Sequence, residues 1–128
     1  MRIEHVALNV EDPLPMARWY VEHLGFTVKR RMVDAPWTHF LADDTGNVMI
    51  ELYKNSDAPI PDYGSMNPFS LHLALISADV RSDTERLTAA GAVLDGEILE
   101  TPGGDVMAML RDPWGFTVQL VKRETPMI

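Results

Sequence analysis

The feature that most constrains this chain is an internal repeat. Two alternating runs open its halves: Ile3-Glu4-His5-Val6-Ala7-Leu8-Asn9-Val10, and Phe69-Ser70-Leu71-His72-Leu73-Ala74-Leu75-Ile76-Ser77. In each, a His is followed by a hydrophobic residue, then Ala, then Leu. Each run leads into a helix-like segment and is answered far downstream by an alternating strand that carries Glu51 or Gln119. The separations are 46 residues from His5 to Glu51 and 47 from His72 to Gln119. A repeat of this kind predicts one supersecondary unit used twice.

The unit can be spelled out. Residues 2–10 alternate as a strand, with Val6, Leu8 and Val10 on one face and Ile3, His5, Ala7 and Asn9 on the other. Glu11-Asp12-Pro13 starts a helix, with acidic residues at the positive end of its dipole. Ala17, Tyr20, Val21 and Leu24 form its apolar stripe, and Gly25 stops it. Strands are predicted over 26–32, 37–42 and 48–53, with a hairpin turn at 43–47. The second half repeats the order. A strand covers 70–77 and a helix 79–90, with Val80, Leu87 and Ala90 inward and Gly91 at its end. Strands follow over 93–99, 105–111 and 116–122, the last two joined by the tight turn Asp112-Pro113-Trp114-Gly115. Residues 54–68 hold Pro59, Pro61, Gly64 and Pro68 without periodicity and read as a linker or lid.

The expected fold is α+β. Two tandem βαβββ modules form a curved mixed sheet, a cup or half-barrel, with helices on the outer face. Module one spans about 1–54, the linker about 55–68 and module two about 69–124, together a single domain of 128 residues.

Composition narrows the function. A net charge of −8 opposes nucleic acid and anionic membrane surfaces. The absence of Cys removes disulfides, thiolate ligands and thiol nucleophiles, and fits a reducing cytoplasm. There is no apolar targeting run after Met1-Arg2 and no stretch of membrane-spanning length.

In each strand the flanking apolar residues belong against a helix, so His5, Glu51, His72 and Gln119 share the opposite face. Two imidazoles, a carboxylate and a carboxamide suit a borderline divalent ion: Zn²⁺, Ni²⁺, Co²⁺, Mn²⁺ or Fe²⁺. They do not suit calcium, which prefers oxygen donors throughout. Glu51 within Ile50-Glu51-Leu52 needs a cation or an arginine beside it, because an unpaired buried charge costs several kcal/mol. Met49, Tyr53, Met107 and Met109 are either core or the apolar lining of a substrate pocket. His39 sits over the cup, at the surface or in the core, and His23 faces solvent. Arg18 and Arg111 are anion contacts or partners in surface ion pairs, and Asp105 and Glu97 are solvated.

The chain resembles the vicinal oxygen chelate superfamily, which holds glyoxalase I, bleomycin- and fosfomycin-resistance proteins and extradiol dioxygenases. The resemblance is carried by Glu4 to Val10, Trp19-Tyr20 through Leu24-Gly25-Phe26, Ile50-Glu51-Leu52, His72 to Leu75, and Asp112-Pro113-Trp114-Gly115-Phe116-Thr117-Val118-Gln119-Leu120. It implies a metal set of His5, Glu51, His72 and Gln119, with Zn²⁺ or Ni²⁺ foremost, and a homodimer acting on a small-molecule substrate. It further implies a glyoxalase-like lyase or isomerase that chelates vicinal oxygens and moves a proton through an enediolate, with Glu51 as catalytic base. The alternative is a non-catalytic small-molecule-binding protein of the bleomycin-resistance type, and a third option is an extradiol-type dioxygenase, which needs Fe²⁺ and an anionic third ligand. Two residues depart from the glyoxalase pattern. Gln119 stands where bacterial relatives usually carry Glu, which counts against extradiol dioxygenase chemistry. Asn9 stands where a basic residue would hold the glutathione carboxylate, while Asn55 is present four residues after the second ligand.

Overall fold

The computed structural model describes residues 1–127. The chain divides into two compact units, one of Met1–Pro61 and a second that begins at Asp62. The first contains β1 (His5–Asn9), α1 (Pro13–Leu24), β2 (Thr27–Arg31), β3 (His39–Ala42) and β4 (Met49–Tyr53). The second contains β5 (Leu73–Ile76), α2 (Val80–Ala89), β6 (Val93–Leu94), β7 (Leu99–Glu100), β8 (Val106–Arg111) and β9 (Thr117–Lys122). Both are βαβββ in outline and each carries its own open, mixed sheet. The strand order is β1-β4-β3-β2 in the first and β5-β9-β8-β6 in the second, where β7 also pairs with β8. The expected strand over 93–99 is two short strands instead, separated around Gly96, whose φ is 89°.

The repeat extends to register. β1 runs parallel to β4 with Ala7 opposite Glu51, and β5 runs parallel to β9 with Ala74 opposite Gln119. In each unit the His lies two residues before that Ala, so one pleat phase puts His and its downstream donor on the same face.

Helix α1 covers the other face of the first sheet. Pro13 at its start needs no N–H partner, and Gly25 closes it in the left-handed region at φ 75°. Its buried stripe is Pro13, Met16, Ala17, Trp19 and Tyr20, packed over β3 and β4. The expected stripe placed Val21 inward, but Val21 is exposed and Met16 is fully buried. Val6 also differs from expectation. It is 52% exposed because β1 is an edge strand, while Leu8 and Val10 further along are buried. Asp12 makes no side-chain cap, and Glu11 pairs with Lys54 rather than serving the helix dipole.

In the second unit Val80, Thr84 and Leu87 of α2 pack on β6, β8 and β9. Asp79 caps the helix by accepting from the Ser82 N–H at 3.1 Å. Burial pushes the Asp83 carboxyl up, but the Ser77 hydroxyl at 2.6 Å and the Arg86 guanidinium together hold it below its ordinary value. Asp105 is not simply solvated: Arg123 and the Glu124 N–H hold its carboxyl low.

Residues 62–66 are fixed rather than lid-like. Tyr63 is buried edge-on against Phe116 at 5.3 Å. Arg111, far from a surface contact, ties this segment down. Its Nη1 donates to the carbonyls of Tyr63 (2.9 Å) and Gly115 (3.3 Å), its Nη2 to that of Met66 (2.7 Å), and its Nε pairs with Asp95 at 2.8 Å. Arg111→Met should therefore cost about 3 kcal/mol, since removal leaves three carbonyls without their donor and takes the cation from the partly exposed Asp95 carboxylate. Urea unfolding measures this. Arg111→Lys should recover little, because an ammonium cannot reproduce the guanidinium fork. A loss below about 1 kcal/mol would contradict the anchoring role.

Candidate metal-binding face

Glu51 follows from the alternation of β4. Ile50 and Leu52 point into the core under α1, so Glu51 faces the other way, with Met49 and Tyr53. His5 reaches the same face from β1. Its Nε2 lies 3.3 Å from Glu51 Oε2, and both side chains are only partly exposed. On the far side of the ring, His5 Nδ1 is 2.5 Å from Glu4 Oε2. Phe40, opposite Glu51 on β3, meets the imidazole edge-on at 5.5 Å. The ring is thus held by a carboxylate behind, an aromatic beside and Glu51 in front.

Sequence reading missed Glu4. Strict alternation sends it to the opposite face from His5, yet its carboxylate turns back to the neighbouring ring while its carbonyl accepts from the Met49 N–H at 3.0 Å.

The second unit has a matching arrangement. His72 directly precedes β5, and its Nδ1 is 3.0 Å from the Pro68 carbonyl. A carbonyl can only accept, so Nδ1 carries a proton and Nε2 is the ring nitrogen left to face a ligand. Gln119 sits between buried Val118 and Leu120 and so faces away from α2. Met109 is its partner on β8, and Gln119 Nε2 approaches Met107 Sδ at 3.9 Å.

The donor types were tested against a metal. An ion bonded to His nitrogen and carboxylate oxygen at about 2.1 Å with tetrahedral angles separates two such donors by about 3.4 Å. The 3.3 Å between His5 and Glu51 fits that spacing, and the Glu4 carboxylate occupies the other nitrogen of the ring. Among the described residues, no three His, Asp or Glu side chains are grouped as a metal site. The structure brings together the His5–Glu51 pair in the first unit. In the second it places His72 and Gln119 at the same register offset.

Other candidates have different roles. His39 lies opposite Leu52, on the helix side, and is buried with Nδ1 2.7 Å from the Trp37 carbonyl. It is not over the Glu51 face. Asn9 is buried too. Its Nδ2 donates to the Asn55 and Ala58 carbonyls, both at 3.1 Å, and its Oδ1 accepts from the Asn55 N–H at 2.8 Å. The Asn55 side chain accepts from the Asp57 N–H. Asn9 is spent on the 55–58 loop and does not stand free as a carboxylate clamp, while Asn55 commits only its side-chain oxygen.

Residues 2–120 match the family model of the Glyoxalase/Bleomycin resistance protein/Dioxygenase superfamily. Lactoylglutathione lyase GLX1 of Arabidopsis thaliana is 29% identical over 133 residues, 95% of this chain. The chain spans 44% of the length of the curated plant relatives it matches. A glyoxalase family protein from Bacillus cereus superposes with a TM-score of 0.80 at 20% identity, covering 94% of this chain and 93% of that one. TnmS3, an antibiotic-binding protein from Streptomyces sp. CB03234, superposes with a TM-score of 0.70 at 26% identity, covering 94% and 93%. No helix among the described residues is long and apolar enough to cross a membrane.

Proposed function

The chain belongs to the Glyoxalase/Bleomycin resistance protein/Dioxygenase superfamily, and from that premise we propose that it is a glyoxalase-like, metal-dependent lyase or isomerase. The observation that carries this reading is the His5–Glu51 pair at 3.3 Å, with Glu4 behind the imidazole. In the proposal His5, Glu51, His72 and Gln119 together hold one divalent ion, Zn²⁺ or Ni²⁺. That ion would supply Lewis acidity to two adjacent oxygens of a small substrate.

The chain's own residues do the rest. Glu51 takes the proton from the carbon beside the substrate carbonyl and returns it to the neighbouring carbon. His5, with Glu4 at its back, keeps Glu51 in place. Gln119, a neutral amide, cannot act as a base, so a single carboxylate carries the proton. Met49 and Tyr53 share the Glu51 face and exclude water from it. A homodimer belongs to the same proposal: the edge strands β1 and β5 carry exposed Val6 and Ile76, apolar surface that a second copy would cover.

A second reading has its own support. Gln119 removes one anion from the donor set, Asn9 is committed to a loop, and a 26% identical neighbour is an antibiotic-binding protein. On this reading the face sequesters a small molecule without chemistry.

One experiment separates the two. Untagged protein is loaded with Ni²⁺ or Zn²⁺, its metal content is measured, and isomerisation of the methylglyoxal–glutathione adduct is followed. Stoichiometric metal, lost in His5→Ala and His72→Ala, together with turnover, is the expected result. Metal without turnover of this adduct removes glutathione chemistry. Neither metal nor turnover leaves the binding reading.

A further inference from the structure

A cleft of about 220 Å³ opens in the first unit on the helix side of its sheet. Its walls are Leu14, Ala17 and Val21 of α1 and Val28 of β2. Arg18, Arg31 and Glu22 stand around them, and His39 contributes from β3. This side of the sheet is the one opposite Glu51, so the cleft has no part in the proposed metal chemistry.

Three properties set it apart from ordinary surface. Leu14, Val21 and Val28 are all exposed large apolar residues, gathered in one place. The guanidinium groups of Arg18 and Arg31 make no ion pair or hydrogen bond among the described residues, and Glu22 lies 4.0 Å from His23. His39 lines the cleft at 4% exposure. Its Nδ1 is used by the Trp37 carbonyl, and its Nε2 has no protein partner among the described residues. A buried polar side chain with an uncommitted nitrogen and two uncommitted arginines are unusual in a chain of net charge −8.

From these we infer that the cleft is a binding site for a small amphiphilic carboxylate. Two arginines against one glutamate leave a single positive charge, which matches a monoanion rather than a phosphate dianion. A guanidinium meets a carboxylate through two parallel hydrogen bonds. The apolar walls take a short hydrocarbon body. The volume is below the roughly 300–1,000 Å³ of drug-sized sites, so the ligand is a handful of carbons long. His39 Nε2, with Nδ1 protonated by its bond to a carbonyl, offers one acceptor to a ligand hydroxyl or to water.

Hexanoate is the probe and hexylamine its charge-reversed control. Calorimetric titration of the whole chain should show saturable 1:1 binding of hexanoate and none of hexylamine. The ¹⁵N shift of the His39 ring should move on hexanoate addition. The double variant Arg18→Gln/Arg31→Gln, both at solvent-facing positions, should bind at least tenfold more weakly with an unchanged melting temperature. Leu14→Gln, which keeps both charges, should also weaken binding. Hexanoate that fails to saturate, hexylamine that binds equally, or affinity undiminished in both variants would overturn the assignment.

Discussion

Gly115→Ala is expected to destabilise the protein by about 3 kcal/mol or more, a large share of the roughly 5–15 kcal/mol that holds a domain of this size together. Two effects combine. Gly115 has φ 83°, where an L side chain costs about 1–2 kcal/mol. A Cβ there would also lie 2.7 Å from Gly64 Cα and 2.9 Å from Gly64 N, both backbone atoms that cannot rotate aside. The backbone around Gly64 cannot yield cheaply either. Tyr63 is wedged against Phe116, and Arg111 holds the Tyr63 and Met66 carbonyls. Gly96→Ala is the control. Its φ is 89°, but nothing lies within 4 Å of the added Cβ, so it should show the backbone cost alone. Urea midpoints of the two variants settle the matter: equal losses would mean that the contact between Gly64 and Gly115 contributes nothing.

That close approach shows which parts of the fold could be read in advance. Asp112-Pro113-Trp114-Gly115 was recognisable as a turn from its residue types, because Pro and Gly restrict the backbone locally. That a second glycine packs on the turn was not, since the pairing of positions 64 and 115 leaves no periodic trace. Arg111 was hidden for the same reason. Its partners are mainly carbonyls, and every residue has one, so composition carries no signal. The repeat, by contrast, was legible as one unit used twice, because alternation fixes faces and the spacing from His to Glu or Gln is nearly equal in both halves. That β1 pairs with β4 and β5 with β9 in matching register was not, since strand pairing leaves no mark in either run. Alternation failed at edges and ends. Val6 follows the pattern of a core residue but lies where β1 has only β4 beside it, and Glu4, one residue before β1, turns its carboxylate back to His5. His39 was ambiguous because its parity depends on where β3 begins pairing, and its opposition to Leu52 puts it under the helix. Within each unit, the sharing of one sheet face by the His and its downstream donor was therefore readable. The carboxylate and carbonyl that orient the two imidazoles were not.

Glu51→Gln should lower turnover of the methylglyoxal–glutathione adduct by about 10²–10⁴-fold in metal-loaded protein, the usual contribution of a positioned general base. That corresponds to about 3–5 kcal/mol of barrier. The substitution keeps size and a hydrogen-bonding oxygen toward His5, so folding should survive, and an unchanged melting temperature checks that it does. The loss should fall on kcat, because an amide in place of the carboxylate leaves the substrate-facing surface of Met49 and Tyr53 intact. Gln119→Glu provides the contrast. It restores a second anion but leaves Glu51 and its His5 contact untouched, so activity should stay within about tenfold of the parent if Glu51 alone moves the proton. If Glu51→Gln instead retained full turnover while Gln119→Glu changed it strongly, the base would have been placed in the wrong unit. If Glu4→Gln lowered metal affinity about 10–100-fold with Glu51 intact, the carboxylate behind His5 would be acting through the imidazole, as its 2.5 Å contact with Nδ1 requires.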